Sequence, residues 1–223
     1  MDFWYTTLKS IFRVYNALFI RSIHLEGGEN IPAGPKILVA NHANASDVCV
    51  IPFILKEKPY CFIQAEAFTV PILGKLFELN EQIPVVIGQG REALNTALNK
   101  LDLGHTIMIF PEGRLNHGRD LRRAGTGATI LAAESGAPLV PLGFYVPPEY
   151  TRTIKGRFFG RRNIASWQFG GRCFVHVGEP WHVNLAEEAD KNYRVLREYT
   201  QNVMTQIADL VDQAKEEAQK WRA

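Results

Sequence analysis

Cysteine is scarce in this chain. Only Cys49, Cys61 and Cys173 occur, and no two of them stand in CxxC spacing. An odd, scattered set of thiols suggests neither a disulfide framework nor a zinc site, and it fits a reducing compartment. Long apolar runs are missing as well: no stretch reaches the ~18 consecutive apolar residues of a bilayer-spanning helix. The N-terminus does not read as a signal peptide, because Lys9, Arg13 and Arg21 interrupt it and no small-residue cleavage site follows. Excess charge is small, +2 over 223 residues, which leaves no global field for nucleic acid. No Gly-x-Ser-x-Gly elbow occurs, which counts against the usual serine-hydrolase route. Internal repeats and low-complexity linkers are also lacking.

What is present describes a folded chain. Hydrophobic residues make up 46% and charged residues 22%, a balance that argues against disorder, and the length suits one core. Charge is unevenly placed: residues 111 to 172 hold ten Lys/Arg against four Asp/Glu. Such a local basic surface suits a phosphate-bearing ligand or an anionic membrane, and equally a solvated Arg-rich loop. Near the start, residues 4, 8, 11, 12, 15, 18 and 19 form an apolar, aromatic-rich stripe at helical spacing, edged by Lys9 and Arg13. That pattern predicts an amphipathic helix over 1–22 lying in a membrane interface, peripheral or monotopic on the cytoplasmic face. The competing reading is a helix packed on its own domain, 23–223.

Further along, short apolar runs alternate with helical stretches. Strands are expected at 36–40, 60–63, 83–87, 106–110, within 138–146, and at 172–177. Helices are expected at 46–56, 71–79, 91–101, 126–135 and, as a long C-terminal one, about 187–222. Pro84 demotes its strand to an edge or a strand start. The alternation specifies an α/β fold, a single domain with a mostly parallel mixed sheet flanked by helices. In such sheets ligands bind beyond the carboxyl ends of the strands.

Two polar stretches begin where an apolar strand ends. The first is Asn41-His42-Ala-Asn44-Ala-Ser46-Asp47. A carboxylate five residues after a histidine, near a helix start, can hold one imidazole nitrogen and leave the other to take a proton from a hydroxyl. Asp47 as a helix cap and His42 as a satisfied interior histidine are the structural alternatives. The second is Phe110-Pro-Glu112-Gly113-Arg114. Its glycine permits close backbone approach and its arginine can grip a phosphate, the alternative being a tight turn with a surface ion pair.

With these blocks in order, the chain resembles the glycerolipid acyltransferases typified by 1-acyl-sn-glycerol-3-phosphate acyltransferase, from about Gly28 to Gly143. Asn41-His42 through Asp47 matches the family's Asn-His-x4-Asp block and Phe110 to Arg114 its Phe-Pro-Glu-Gly block. Leu139-Val-Pro-Leu142 matches a fourth, Val-Pro block, and Gly125-Thr126-Gly127 the glycine that opens the next helix. The resemblance implies that His42 is the general base and Asp47 its orienting carboxylate. It implies that Glu112 and Gly113 shape the acceptor site, that Arg114 contacts phosphate, and that the Val-Pro block lines the acyl-donor side. It further implies an acyl-CoA or acyl carrier protein donor, a lysophospholipid acceptor, and neither metal nor cofactor. Ile87 stands where the family usually carries an arginine, and the nearest basic residue is Arg91, so either Arg91 makes the phosphate contact or the acceptor differs. Thr126 replaces a frequent lysine, for which Arg119, Arg122 and Arg123 could compensate.

The stretch Arg152 to Arg162 carries five basic residues around Phe158 and Phe159. It reads as a membrane contact, a dock for an acidic carrier protein, or a loop without such a role. Three functions are then expected in descending order: an acyltransferase for lysophosphatidic acid or another lysolipid, a catalytically silent lipid-binding protein, and a thioesterase.

Overall fold

The computed structural model describes residues 2–158, 161–184 and 193–221, with the side chains of 157, 158 and 161–163 outside that description. The chain opens with helix α1 (Phe3–Phe19), strand β1 (Ser22–Glu26), β2 (Lys36–Ala40), α2 (Asp47–Ile54), β3 (Pro59–Gln64), α3 (Leu73–Leu79) and β4 (Ile83–Val85). It continues through α4 (Gly90–Asp102), β5 (Thr106–Ile109), α5 (Gly127–Ser135) and β6 (Leu139–Tyr145). The β7 (Thr151–Phe158) and β8 (Arg161–Gln168) hairpin follows, then β9 (Arg172–Val177) and α6 (Tyr193–Lys220).

Seven strands form one sheet in the order β1-β9-β6-β2-β5-β3-β4. All neighbours are parallel except β6 and β9. The expected mixed, mostly parallel sheet is therefore present, with Pro84 on its outermost strand β4, where a missing N–H breaks no ladder on the open side. Strand β1 was not expected. Ser22–Glu26 is short, partly exposed and at the other edge, and its only partner, β9, lies far along the chain, so no local apolar run announces it.

Side-chain alternation divides each central strand between two cores. Ile37, Val39, Ile107 and Ile109 face α4, α5 and α6, meeting Ala97, Leu131, Val203 and Ile207. Leu38, Ala40, Met108 and Phe110 face the opposite way, with Val50 and Ile51 of α2 and Tyr15 of α1. α6 buries Leu196, Thr200, Val203, Ile207, Leu210, Ala214 and Ala218, a stripe at three- and four-residue spacing. It lies directly on β6: a Cβ on Gly143 would stand 2.5 Å from the backbone carbon of Leu210.

α1 shows features of both sequence readings. Its docked side buries Leu8, and Tyr15 Oη donates to the Gln168 carbonyl at 2.6 Å while Asn16 Nδ2 donates to that of Cys49 at 3.0 Å. Phe3, Trp4, Ile11, Val14 and Leu18 remain exposed on the other side. Among the described residues no helix is long and apolar enough to cross a membrane.

Candidate active site

β2 and β5 are neighbours, yet from β2 the chain moves on to β3 on one side and from β5 to β6 on the other. The helix after β2 packs on one face of the sheet and the helix after β5 on the other, and that parting opens a crevice at their carboxyl ends, the place where open α/β sheets bind ligands. His42 leaves the end of β2 and Phe110 the end of β5, and their rings stack at 4.0 Å between centroids and 14° between planes. Continuing the alternation Leu38, Ala40, His42 puts the imidazole on the α1–α2 side of the sheet edge.

His42 Nδ1 lies 3.2 Å from Asp47 Oδ2, and that oxygen also accepts the Asn44 backbone N–H at 2.8 Å. Asp47 is the first residue of α2 and is 1% exposed. Its carboxylate turns back onto the histidine loop instead of capping the helix, which answers the structural alternative. Among the described residues no protein group hydrogen-bonds Nε2, so this nitrogen is the one available to a substrate.

Glu112 is buried and faces inward. Its Oε1 accepts from the His42 backbone N–H at 2.9 Å and from Asn116 Nδ2 at 2.9 Å, and its Oε2 accepts from the Arg122 backbone N–H at 2.8 Å. The Asn116 backbone N–H donates in turn to the His42 carbonyl at 2.8 Å. This carboxylate therefore shapes the site by clamping the histidine loop to the segment that follows β5. Gly113 takes a left-handed φ of 66° with open space around it, a conformation glycine adopts without steric cost. Arg114 follows on the surface.

Other residues named from sequence are dispersed. Arg119 and Arg123 line a cleft of about 820 Å³ beside the histidine loop, together with Asn41, Ala43, Asn44 and the outward side of α6. Thr126 and Gly127, both half-buried, start α5, and the Thr126 carbonyl accepts from Thr129 Oγ1 and the Ile130 N–H. Arg91 stands apart from that cleft, its guanidinium donating two bonds to Glu134 at 2.7 and 3.1 Å. The Val-Pro block is a correction. Leu139, Val140 and Leu142 are fully buried inside β6, where they fill the core and line no donor path. Of the basic hairpin, the backbone pairing of β7 with β8 is present, whereas Phe159 and the side chain of Phe158 fall outside the described residues.

The partners of several site residues carried no sequence signal. Asn41 bridges β2 to β6, its amide donating to the Phe144 carbonyl at 2.9 Å and its oxygen accepting the Phe144 N–H at 2.7 Å. His117 sits at φ 61° with Nδ1 3.0 Å from Ser166 Oγ. Burial, and then the nearby Arg122, Arg119 and His42, hold its imidazole below the ordinary histidine range. The only hint in sequence was the turn chemistry of Asn116-His117-Gly118. Cys49, close to Asp47, is no nucleophile: burial pushes its thiol up to about 12.

The acyltransferase family profile matches residues 22–145, more than half of the chain. The chain belongs to the acyltransferase family. Among the relatives of this acyltransferase is the 1-acyl-sn-glycerol-3-phosphate acyltransferase of Haemophilus influenzae, 24% identical over 181 residues, 78% of this chain and 69% of the relative. A chloroplastic enzyme of the same name from Arabidopsis thaliana is 28% identical, over 54% of this chain and 35% of its own length. The lyso-ornithine lipid O-acyltransferase of Pseudomonas aeruginosa is 28% identical over 70% of this chain and 60% of its own. The chain thus spans about a third of the plant relative and under two thirds of the Pseudomonas one. The crystal structure of PlsC, the 1-acyl-sn-glycerophosphate acyltransferase of Thermotoga maritima, superposes with a TM-score of 0.66 at 21% identity, covering 95% of this chain and 78% of that one. This acyltransferase therefore shares that fold.

Proposed function

We propose that this acyltransferase moves a fatty acyl group from acyl-CoA, or from an acylated carrier protein, to a free hydroxyl of a lysophospholipid. Lysophosphatidic acid is the first acceptor to test, with phosphatidic acid as product. The observation that carries the reading is the His42–Asp47 pair, held at Nδ1 and open at Nε2. In this mechanism Nε2 takes the acceptor hydroxyl proton as the oxygen attacks the thioester carbonyl carbon. The tetrahedral adduct then collapses, the C–S bond breaks, and the imidazolium returns the proton to the departing thiolate. Asp47 fixes the tautomer and stabilises the transient cation. No protein nucleophile is required, in keeping with the missing serine elbow and the inert Cys49.

In this reading the protein works at a membrane surface, peripheral or monotopic on the cytoplasmic face. The exposed Phe3, Ile11, Val14 and Leu18 of α1 would rest among the lipids. The free thiols fit that side. The deciding assay is thiol release from a long-chain acyl-CoA with and without lysophosphatidic acid. Release that needs the lysolipid and disappears in His42→Ala is the expected result; release indifferent to lysolipid would make the protein a thioesterase.

One observation favours a second acceptor class. Ile87 is 80% exposed where a phosphate-gripping arginine is usual, and Arg91 is engaged by Glu134. An amino-acid lysolipid, as in the Pseudomonas relative's name, needs no cation there. Replacing lysophosphatidic acid by lyso-ornithine lipid in the same assay separates the two.

A further inference from the structure

The cleft and the catalytic ring lie on opposite sides of one loop. His42 points to the α1–α2 side, stacked on Phe110. The cleft opens on the α6 side, touching that loop through Asn41, Ala43 and Asn44. The two remain close, since His42 and His117, which lines the cleft, oppose each other's charge.

The cleft is strongly cationic. Arg119, Arg122, Arg123, Arg197 and Lys215 line it against Asp120 and Asp212. The only ion pair among these seven side chains is Lys215 with Asp212, at 2.7 Å. Arg197 Nη1 donates to the Ala124 carbonyl at 2.6 Å, so the guanidinium is anchored beside the arginine-rich segment. This differs from Arg91, whose charge is already matched by Glu134. Among the described residues no carboxylate pairs with Arg119, Arg122, Arg123 or Arg197, and clustered guanidinium groups of this kind are the usual receptor for phosphate groups. From Arg197 to Lys215 the helix covers about 27 Å at 1.5 Å per residue, far longer than one phosphate monoester. Met204, Ala208 and Val211 add an apolar strip along that wall.

We infer that this cleft receives the polyphosphate nucleotide end of coenzyme A, so that donor and acceptor approach His42 from opposite faces of the sheet. The inference rests on the transferase reading and specifies its donor. The lysolipid reaches the imidazole from the α1 side, where exposed apolar groups lie. The donor's nucleotide stays in the basic cleft, and its pantetheine arm carries the thioester over residues 41–44 to Nε2. The volume, about 820 Å³, is that of a cofactor-sized site. A lysophosphatidic acid headgroup would use one end of the cleft and leave the α6 wall without a ligand.

The test compares palmitoyl-CoA with S-palmitoyl-pantetheine, which lacks every phosphate, in wild type and in Arg197→Gln and Arg122→Gln. Wild type should show a KM for palmitoyl-CoA at least about tenfold below that for the pantetheine thioester, the scale of a charge-assisted hydrogen bond. Each variant should raise the palmitoyl-CoA KM by about tenfold and leave the KM values for pantetheine thioester and lysolipid unchanged. Calorimetric binding of free coenzyme A, weakened in both variants, reads the cleft without turnover. Arg122→Gln guards against a folding defect, because only its backbone is bonded to Glu112. Equal use of both thioesters by wild type, a rise in the lysolipid KM, or a preference for carrier-protein thioester untouched by the variants would overturn the assignment. If wild type releases thiol from no donor while coenzyme A still binds in the cleft, the transferase reading fails and the nucleotide site stands.

Discussion

Single side chains hold most of the chemistry. Asp47→Asn keeps a side chain of the same size but loses the anion behind Nδ1, so kcat should fall by about a hundredfold or more with lysolipid KM unchanged; equal loss in KM would make Asp47 a binding residue. Glu112 has a different role. Its carboxylate accepts from two backbone N–H groups and the Asn116 amide, and Glu112→Ala leaves those donors buried. The expected cost is on the order of 3 kcal/mol, read as a lower urea midpoint, together with lost activity through the displaced histidine loop. Ile72 points the other way. A β-branched residue at φ 67° and 79% exposed is strained without gaining burial, so Ile72→Gly should raise stability by about 1 kcal/mol. At this scale the sequence was informative where chemistry and spacing coincide, as in His42 and Asp47. It marked Asn41 only as part of a motif and was silent on His117, because their partners Phe144 and Ser166 come from distant segments.

Elements were legible where one strand or helix carries its own apolar pattern. Lys36–Ala40 and Arg172–Val177 are bounded in the structure as their sequence specifies. β1 was not, because an edge strand with half its side chains in solvent has no such run. The close seat of α6 on β6 was also hidden: Gly143 reads as an ordinary strand residue until the helix is laid on it. Gly143→Ala should cost about 1–3 kcal/mol as Leu210 and Val211 are pushed off the sheet. The effect should spread to the cleft, whose far wall is this same helix. An unchanged denaturant midpoint would show that α6 shifts freely.

For the molecule as a whole, acidification should loosen the fold. His117 and His176 are both held below the ordinary histidine value, chiefly by burial. An unfolded chain binds those protons more readily, so the stability from the two neutral imidazoles is complete above about 6.5 and is lost as pH falls through their depressed values. Glu57 adds to the trend at lower pH. Although its desolvation opposes this, bonds from Lys36 and Thr106 hold its carboxyl below the usual range. Thermal unfolding followed from pH 7.5 to 5 should show a falling Tm, with a shallower slope in His176→Asn; a flat profile would remove both histidines from the balance.

The register of β1 governs when the chain can close. Among the described residues Ser22 to Glu26 pair only with Arg172 to His176, so the first strand made waits for the last. As the chain is synthesised from its N-terminus, α1 is complete long before the strand that fastens its end to the sheet exists. During that interval the docked side of α1 has no finished core to bury it. The end of the earliest helix is thus fastened only once the sheet is complete, and whatever meets an apolar nascent segment, a chaperone or a lipid surface, has the whole synthesis of the sheet in which to act.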